Sequence, residues 1–353
     1  MNDIKEIKIH ASRDYTVSIG HGLLSRCGEM IAEIKKPCSV MVVSDSNVAP
    51  LYLDTVLESL KGAGFTTYSF VFEAGEASKN FDTFTSILEC MAENRLTRTD
   101  LAVALGGGVT GDMTGFAAAS YLRGIDYVQL PTSLLAAVDS SVGGKTAIDI
   151  AAGKNLVGAF KQPIAVICDT DAFNTLSDEV FYDGCAESIK YGILGSELLL
   201  DIFSSRDPHE FIDDIVAESV KIKAYYVEND EFEGGIRRYL NLGHTLGHAI
   251  ERCSNFSIMH GHAVAAGTVM IAKIGESLGI TDPGTSDAIA AINERNELPT
   301  GCTFTAEELA DGALADKKRR GNTLALIIPE KMGKCMTHTI NVDDIIDIIN
   351  KAL

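Results

Sequence analysis

Two histidines four residues apart are the feature of this chain with the clearest chemical meaning. His244 and His248 lie in residues 241–251 (NLGHTLGHAIE), and His260-Gly-His262 follows shortly afterwards. If the segment is helical, both rings leave one face, with their Cβ atoms roughly 5 to 6 Å apart. Such spacing is typical of metal ligands and of paired catalytic groups. Because four of the eight histidines lie within residues 244–262, the pattern favours a single site.

A glycine-rich turn is the second feature. Residues 101–105 (LAVAL) predict a buried strand, and residues 106–112 (GGGVTGD) lead from it into an alanine-rich helical stretch. A strand, a glycine turn and a helix N-terminus together present backbone NH groups and the positive end of a helix dipole. The turn satisfies the G-x-G-x-x-G pattern, although it lies about 100 residues into the chain instead of at the first βα turn. It predicts a site for the pyrophosphate of a dinucleotide.

Two loops, residues 44–47 (SDSN) and 73–79 (EAGEASK), come at the ends of aliphatic runs and carry carboxylate, amide and ammonium groups. In open α/β sheets, ligands bind outside the carboxyl ends of the strands. We therefore expect both loops at that edge, where they suit the ribose hydroxyls of a nucleotide.

Several cations stand beside glycine in a chain whose net charge is −19. That charge disfavours nucleic acid as a partner, so a local group of cations needs a reason. Arg123, Lys145, Lys154 and Lys161 lie among small residues, which suggests side chains aimed from loops at a bound anion. Additional candidates are Lys190, Lys221, Lys223, Arg237 and the run Lys317-Lys318-Arg319-Arg320. The set suits a small substrate that carries phosphate or carboxylate.

Each of these features also has a purely structural interpretation. The histidines could face solvent or satisfy core hydrogen bonds, since the run lacks the glutamate of the HExxH helix. The glycine turn could serve only close packing of strand against helix, the polar loops could simply be solvated, and any single lysine could be a surface charge.

The order of the patterns predicts two domains. Aliphatic runs at residues 39–44, 66–72 and 101–105 alternate with helical patterns, which indicates a parallel sheet covered by helices. From about residue 173 the patterns are mainly helical, with one plausible strand at residues 323–329. We predict a Rossmann-like α/β nucleotide-binding domain over residues 1–172 and a mainly α-helical metal- and substrate-binding domain over residues 173–353.

Bulk properties narrow the class of protein. The apolar runs are shorter than the roughly 20 residues that span a bilayer, and the first ten residues lack the apolar core of a signal peptide. The eight cysteines form no Cys-x-x-Cys pair, which argues against a disulfide framework or a zinc ribbon. We expect a cytoplasmic protein that does not associate with membranes.

The chemical motifs, taken in chain order, closely resemble those of the 3-dehydroquinate synthase family, in the sugar-phosphate cyclase superfamily. The matching segments are residues 106–112 (GGGVTGD), 121–124 (YLRG), 138–146 (VDSSVGGKT), 153–160 (GKNLVGAF), 186–192 (AESIKYG) and 241–251 (NLGHTLGHAIE). The resemblance extends from Asp45 to the Asp316-Lys-Lys run, nearly the whole chain.

The resemblance implies an activity. Members of the family convert 3-deoxy-D-arabino-heptulosonate 7-phosphate into 3-dehydroquinate and phosphate, the second step of the shikimate pathway to chorismate and the aromatic amino acids. They are lyases that use bound NAD and a divalent metal, usually zinc with cobalt as an alternative. The implied course is transient oxidation by NAD, β-elimination of phosphate, reduction and intramolecular aldol closure. The resemblance also implies a homodimer.

The resemblance assigns roles to individual residues. The metal ligands correspond to Glu187, His244 and His260. His248 is then not a ligand but either a residue that supports the ligands from outside or a proton relay. The residues implied to hold the substrate are Arg123, Lys145, Lys154, Asn155, Lys190, Lys223, Arg237, Asn241, His248 and Lys317. The residues implied to contact NAD are Asp45, Asn47, Glu76, Lys79, Gly107, Gly108, Asp112, Thr132, Ser133, Asp139, Lys145, Lys154 and Thr175. The residues implied to be catalytic are Asp139, Lys145, Lys190, Arg237 and His248.

Departures from the family pattern keep other functions open. His262 stands where the family commonly has glutamate, and residues 146–153 (TAIDIAAG) differ from the more frequent form. These differences leave room for a sister sugar-phosphate cyclase. An iron-dependent polyol or alcohol dehydrogenase, which shares a glycine turn and a metal site, is a second alternative, and an inactive nucleotide-binding protein is a third.

Overall fold

The computed structural model describes residues 4–314, 319–320 and 322–353. The chain divides into two compact units, Met1–Leu176 and Ser177–Leu353. The first unit is built on a mostly parallel sheet with helices, and the second is mainly helical. This confirms the predicted fold class. The division comes just after the predicted boundary at residue 172, and the assignment of a function to each part stays a prediction.

Unit 1 alternates strands and helices. Its strands are β1 (Lys5–Ile9), β2 (Tyr15–Gly20), β3 (Ser39–Asp45), β4 (Thr66–Phe72), β5 (Leu101–Gly106), β6 (Asp126–Pro131), β7 (Lys145–Ile150), β8 (Gly153–Phe160) and β9 (Ala165–Asp169). Its helices are α1 (Cys27–Ile34), α2 (Ala49–Gly62), α3 (Phe81–Glu93) and α4 (Gly108–Ser120).

Seven strands of unit 1 form one sheet in the order β1-β2-β9-β6-β5-β3-β4. All neighbours are parallel except β1 and β2. Both faces are covered: Val40 and Val42 pack with Val56 of α2, whereas Met41 and Val43 pack with residues of α3 and α4. Coverage on both faces explains why β3 and β5 are continuous apolar runs in the sequence.

Strands β7 and β8 form an antiparallel hairpin outside the main sheet. Ile148 packs in the same core cluster as Met113 and Ala117 of α4. Lys145 begins β7 and Lys154 lies in β8, so the expectation that these lysines project from loops was wrong. The glycines beside them obscured the strands, because glycine is unfavourable in a strand interior.

In its described residues, unit 2 contains helices and one small antiparallel sheet. Its helices are α5 (Asp178–Gly195), α6 (Glu197–Ser205), α7 (Ile212–Asn229), α8 (His244–Cys253), α9 (His260–Ser277), α10 (Thr285–Arg295), α11 (Ala306–Leu314) and α12 (Ile345–Ile349). Its strands are β10 (Arg319–Arg320), β11 (Thr323–Lys331) and β12 (Lys334–Asn341). The strand predicted at residues 323–329 corresponds to β11. The two strands that pair with it, β10 and β12, were not predicted. Across the described residues, no helix has the length and apolar character that a membrane crossing requires.

Candidate functional site

Three helices of unit 2 bring a carboxylate and two imidazoles together. Glu187 lies on α5, whereas His244 and His260 are the first residues of α8 and α9. Oε1 of Glu187 is 3.5 Å from Nε2 of His244 and 3.6 Å from Nε2 of His260. These separations are close to the about 3.4 Å that two ligands at 2.1 Å make around a tetrahedral cation. The residues present therefore fit a divalent metal.

Each member of this group is also held from behind. Nδ1 of His244 is 3.0 Å from the backbone oxygen of Leu242, and Nδ1 of His260 is 3.2 Å from Oε2 of Glu251. The ammonium of Lys190 donates a hydrogen bond to Oε2 of Glu187, three residues before it on α5. The outer nitrogen of each imidazole is therefore engaged, and the inner nitrogen faces Glu187.

Charge in this group favours a cation. Glu187 is completely buried and Glu251 is 5% exposed. Burial lowers the pKa of His260, but hydrogen bonds to Glu187 and Glu251 and the charges of both carboxylates outweigh it and raise the pKa to about 10. The ring thus sits in a strongly negative environment. One carboxylate oxygen and two imidazole nitrogens suit a borderline divalent cation such as zinc, with coordination positions left open.

His248 is beside the three residues and not one of them. Its ring centroid is 5.4 Å from that of His244 and 5.9 Å from that of His260. The predicted placement of His244 and His248 on one helical face is confirmed by α8. His248 also belongs to a second group of potential ligands with Glu251 and His260, whose ligand atoms lie within 4.8 Å of one another.

His262 is turned to Asp183 on α5. Its Nδ1 lies 2.9 Å from Oδ1 of Asp183, and its backbone NH donates to the same oxygen at 2.9 Å. Asp183 therefore caps the first turn of α9 from a neighbouring helix. The contact ties the helix that carries His260 to the helix that carries Glu187.

The segment that leads into α8 carries two of the predicted substrate-binding residues. The carboxylate of Asp230 accepts hydrogen bonds from the backbone NH groups of Gly234 and Gly235 and from that of Arg237. The Arg237 side chain is buried and donates to the backbone oxygen of Glu231. Asn241 donates to Oε1 of Glu233 at 2.7 Å. A third predicted residue, Lys223, is buried on α7.

In unit 1, the predicted nucleotide-binding loops gather at the carboxyl edge of the sheet. Asp45 ends β3, and its carboxylate accepts from the backbone NH of Asn47 at 3.0 Å and from the hydroxyl of Thr110 on α4 at 3.1 Å. The glycine turn follows β5, which pairs with β3. The expectation of a shared edge is confirmed within unit 1.

Lys79 is the centre of a polar network at this edge. Its ammonium donates to Asp112 and to Asn155, both at 2.6 Å. Burial lowers the pKa of Lys79, but the neighbouring carboxylates, Asp112 foremost, outweigh it and raise the pKa above its usual value. Lys154 lies 3.5 Å from Glu76. Because the charge of Glu76 also acts on Lys79, five predicted cofactor or substrate contacts lie in one electrostatically linked group.

The glycine turn serves two purposes. A Cβ at Gly106 would come within 2.5 Å of Thr110, and one at Gly111 within 2.6 Å of Gln129. Close packing therefore accounts for these two glycines. A Cβ at Gly107 or Gly108 would meet only serine hydroxyls at 3.4 and 3.2 Å, so packing alone does not require glycine there. These two are the positions predicted to contact NAD.

The remaining predicted cofactor contacts lie after β6 and β9. Thr132 is buried directly after β6, and the Ser133 hydroxyl accepts from the backbone NH of Ala136 at 3.3 Å. Asp139 lies on a π-helical turn, Ala136–Ser140. The hydroxyl of Thr175 is 2.8 Å from that of Tyr52. Both segments follow carboxyl ends of parallel strands.

Arg123 lies at the opposite edge of the same sheet. Helix α4 starts at the carboxyl end of β5 and, at 1.5 Å per residue, runs about 20 Å before Arg123 follows it. The structure therefore does not bring Arg123 to the glycine turn of its own unit. Lys317, also predicted to hold substrate, lies outside the described residues.

An ion-paired carboxylate, Asp126, lies at this amino edge. It is 2.5 Å from Arg13 and 2.9 Å from Lys35. Burial raises the pKa of Asp126, but hydrogen bonds from Lys35 and Arg13 outweigh it and lower the pKa below its usual value.

Sequence reasoning missed two carboxylates of unit 2, Glu251 and Asp183. A signal existed for each. Glu251 is seven residues after His244, which places both on one face of a helix, and Asp183 is four residues before Glu187. What the sequence lacked was the crossing of α9 with both helices.

Comparisons with known proteins identify the family of this chain. The family model described as 3-dehydroquinate synthase N-terminal matches residues 69–183, and the one described as 3-dehydroquinate synthase C-terminal matches residues 184–319. The chain is 40% identical over 342 residues to a 3-dehydroquinate synthase of Streptococcus suis (strain 05ZYH33), covering 95% of this chain and 96% of that protein. The chain belongs to the 3-dehydroquinate synthase family. The resemblance inferred from the motifs is thereby confirmed.

Solved structures similar to this member of the 3-dehydroquinate synthase family show the fold. A 2-deoxy-scyllo-inosose synthase complexed with carbaglucose-6-phosphate, NAD+ and Co2+ superimposes with a TM-score of 0.89 at 24% identity, over 99% of this chain and 100% of that chain. ValA, a 2-epi-5-epi-valiolone synthase from Streptomyces hygroscopicus subsp. jinggangensis 5008 with NAD+ and Zn2+ bound, superimposes with a TM-score of 0.87 at 20% identity, over 98% of both chains.

Proposed function

We propose that this protein is a 3-dehydroquinate synthase. It converts 3-deoxy-D-arabino-heptulosonate 7-phosphate into 3-dehydroquinate and phosphate, the second step of the shikimate pathway. The observation that carries the proposal is the convergence of Glu187, His244 and His260 in a chain of this family.

Glu187, His244 and His260 would hold the metal, which is zinc or cobalt. A structural neighbour contains Co2+ and another contains Zn2+. When bound, the cation supplies Lewis-acid polarisation of substrate oxygens. Three protein ligands leave coordination positions for those oxygens. The acceptors behind His244 and His260 fix which nitrogen of each ring faces inwards.

The carboxyl edge of the unit 1 sheet would hold NAD. When bound, NAD supplies a transient oxidation and the matching reduction, so that it is not consumed. Gly107 and Gly108 would let the backbone approach the pyrophosphate, and the start of α4 offers NH groups to it. Asp45 and the Lys79 network would contact the remainder of the cofactor. Support comes from solved structures of similar fold with NAD+.

Cationic and amide side chains would orient the substrate. A flexible sugar with a phosphate and a carboxylate needs several fixed cations to remain in one reactive geometry. Lys190, Lys223 and Arg237 are buried, which strengthens their electrostatic action on a bound anion. The other proposed substrate contacts are Arg123, Lys145, Lys154, Asn155, Asn241, His248 and Lys317. Asp139 is proposed to lie near the reacting atoms.

His248 is proposed to move a proton. Its ring lies next to those of His244 and His260, with centroid distances of 5.4 and 5.9 Å. Imidazole can accept and donate a proton near neutral pH, which suits a residue that transfers protons beside the metal ligands. We also propose that the protein acts in the cytoplasm. We further propose that it is a homodimer, and light scattering coupled to size-exclusion chromatography would test this oligomeric state.

The decisive experiment follows two products at once. Purified protein with zinc, a catalytic amount of NAD and the heptulosonate phosphate should release phosphate without accumulating NADH. Stoichiometric NADH would instead indicate an iron-dependent dehydrogenase, and phosphate release only from another sugar phosphate would indicate a sister cyclase. Glu187→Gln should abolish phosphate release. Glu276, whose carboxylate lies at the far end of α9, provides the control, and Glu276→Gln should not abolish phosphate release. Activity that survives complete chelation of the metal would refute the role of Glu187.

A further inference from the structure

Among the residues that the structure describes, two overlapping groups of potential ligands share His260. One group adds Glu187 and His244, and the other adds His248 and Glu251. An imidazole has two nitrogens, and those of His260 face different carboxylates. Nε2 is 3.6 Å from Oε1 of Glu187, whereas Nδ1 is 3.2 Å from Oε2 of Glu251. The ring is thus held between buried carboxylates from two helices.

We propose that Glu251 is a positioning residue for the metal centre, which accepts a hydrogen bond from Nδ1–H of His260 and directs its Nε2 to the cation. The inference rests on the proposed function of Glu187, His244 and His260 as ligands. On this proposal, the group of His248, Glu251 and His260 is not a second metal site. Its carboxylate orients a ligand of the first group.

The contacts of the His244 ring support this assignment. Its Nε2 faces the same oxygen of Glu187, and its Nδ1 is 3.0 Å from the backbone oxygen of Leu242. Both rings therefore share one pattern, with an acceptor at Nδ1 and Glu187 at Nε2. Histidine ligands commonly donate their second ring NH to a carboxylate or a backbone carbonyl, which fixes the tautomer and increases the basicity of the ligating nitrogen.

Helix geometry explains why Glu251 can do this. His244, His248 and Glu251 are at relative positions 0, 4 and 7 of α8, so they lie on one face. His260 is the first residue of α9, where a short connection from α8 brings it back against that face. Burial keeps the carboxylate of Glu251 out of bulk water, which strengthens a charge-assisted hydrogen bond.

The test is metal affinity, measured separately from turnover. Zn2+ affinity is obtained by competition with a chromophoric chelator, and the visible bands of bound Co2+ report the donor set. Glu251→Ala should weaken binding about 10- to 100-fold while the Co2+ bands keep their positions, because no ligand is lost. Glu251→Gln should recover part of the affinity, since its amide oxygen can accept from Nδ1–H.

Glu276→Ala is the matched control. Glu276 lies on α9, the helix that begins at His260, and accepts hydrogen bonds from the backbone and hydroxyl of Ser286 at 2.8 and 3.0 Å, but at the far end of that helix. This variant should lose stability without losing metal affinity. An equal loss of affinity in the Glu251 and Glu276 variants would overturn the inference, because it would indicate general loosening of α9.

Other results also decide the matter. Wild-type affinity in Glu251→Ala, shifted Co2+ bands, or two Zn2+ per chain would each overturn the proposal, the last two by making Glu251 a ligand. If Glu251→Ala does not fold, Glu251→Gln decides alone: weaker binding with unshifted bands supports the proposal, and unchanged binding overturns it. If the wild type binds one cation but releases no phosphate, the proposed function fails while this inference stands.

Discussion

Substitution of Gly261 by alanine tests whether the contact between α9 and α5 sets the metal geometry. A Cβ at Gly261 would lie 1.8 Å from the backbone oxygen of Asp183, whereas ordinary contact begins at 3.4 Å. The helices would therefore have to separate by about 1.6 Å, since a backbone oxygen cannot rotate away as a flexible side chain can. His260 lies on α9 and Glu187 on α5 and each would move with its helix, so Nε2 of His260 and Oε1 of Glu187 would separate by a similar amount.

Metal coordination tolerates far less than that displacement. Ligand distances of about 2.0 to 2.2 Å vary by about 0.2 Å. We expect Gly261→Ala to weaken Zn2+ binding more than 100-fold, beyond the effect of losing an outer partner, and to lower the free energy of unfolding by about 1 to 3 kcal/mol. Chelator competition and urea unfolding measure the two effects. Gly62→Ala is the control, because its Cβ would meet no atom within 4 Å. A folded Gly261→Ala protein with near wild-type affinity would refute this reasoning.

Three other predictions concern charge and ligand linkage. Lys79→Met should lower the free energy of unfolding, measured by urea titration, by about 3 kcal/mol, because it removes the buried ammonium that pairs with Asp112. Lys154→Met removes a more exposed ion pair and should lower the same free energy by less than about 1 kcal/mol. Asp126 has a lowered pKa in the folded state, so its stabilisation is complete above the unfolded pKa of about 4 and is lost as pH falls through the folded value. The stability difference between the wild type and Asp126→Asn should thus be constant near pH 7 and shrink below about pH 4, and an unchanged difference at pH 3 would contradict this sign. Removal of the metal by a chelator should lower Tm, since a cation present at 100 times its Kd adds about 2.7 kcal/mol to the free energy of unfolding. An equal Tm with and without metal would contradict a structural link between the cation and the three helices.

The sequence predicted the parallel core well because the central strands of the sheet are covered on both faces. Runs such as β3 and β5 are continuously apolar for that reason. The hairpin of β7 and β8 could not be predicted in the same way. Its strands contain glycine and lysine, and its stability comes from packing on α4, where Gly115 admits Thr146, a contact that no local pattern encodes.

The candidate site shows the same division between local and long-range information. The face shared by His244 and His248 follows from helical spacing alone. Their approach to Glu187 depends on how α5, α8 and α9 cross, and that is set by close backbone contacts at Gly261 and at Gly247, whose Cβ would lie 3.1 Å from Val264. Glycine spacing in a sequence does not reveal which helix the exposed backbone will meet.

The position of both histidines at the start of a helix has an electrostatic consequence. The N-terminus of a helix carries a partial positive charge of about half an elementary charge, which disfavours a nearby cation. His244 begins α8 and His260 begins α9, so a divalent metal between them would face two such ends. Three buried carboxylates offset this effect: Glu187 beside both imidazoles, Glu251 at Nδ1 of His260, and Asp183 of α5, which accepts a hydrogen bond from the first turn of α9. The acidic residues around these imidazoles are therefore needed to make two helix N-termini compatible with a cation.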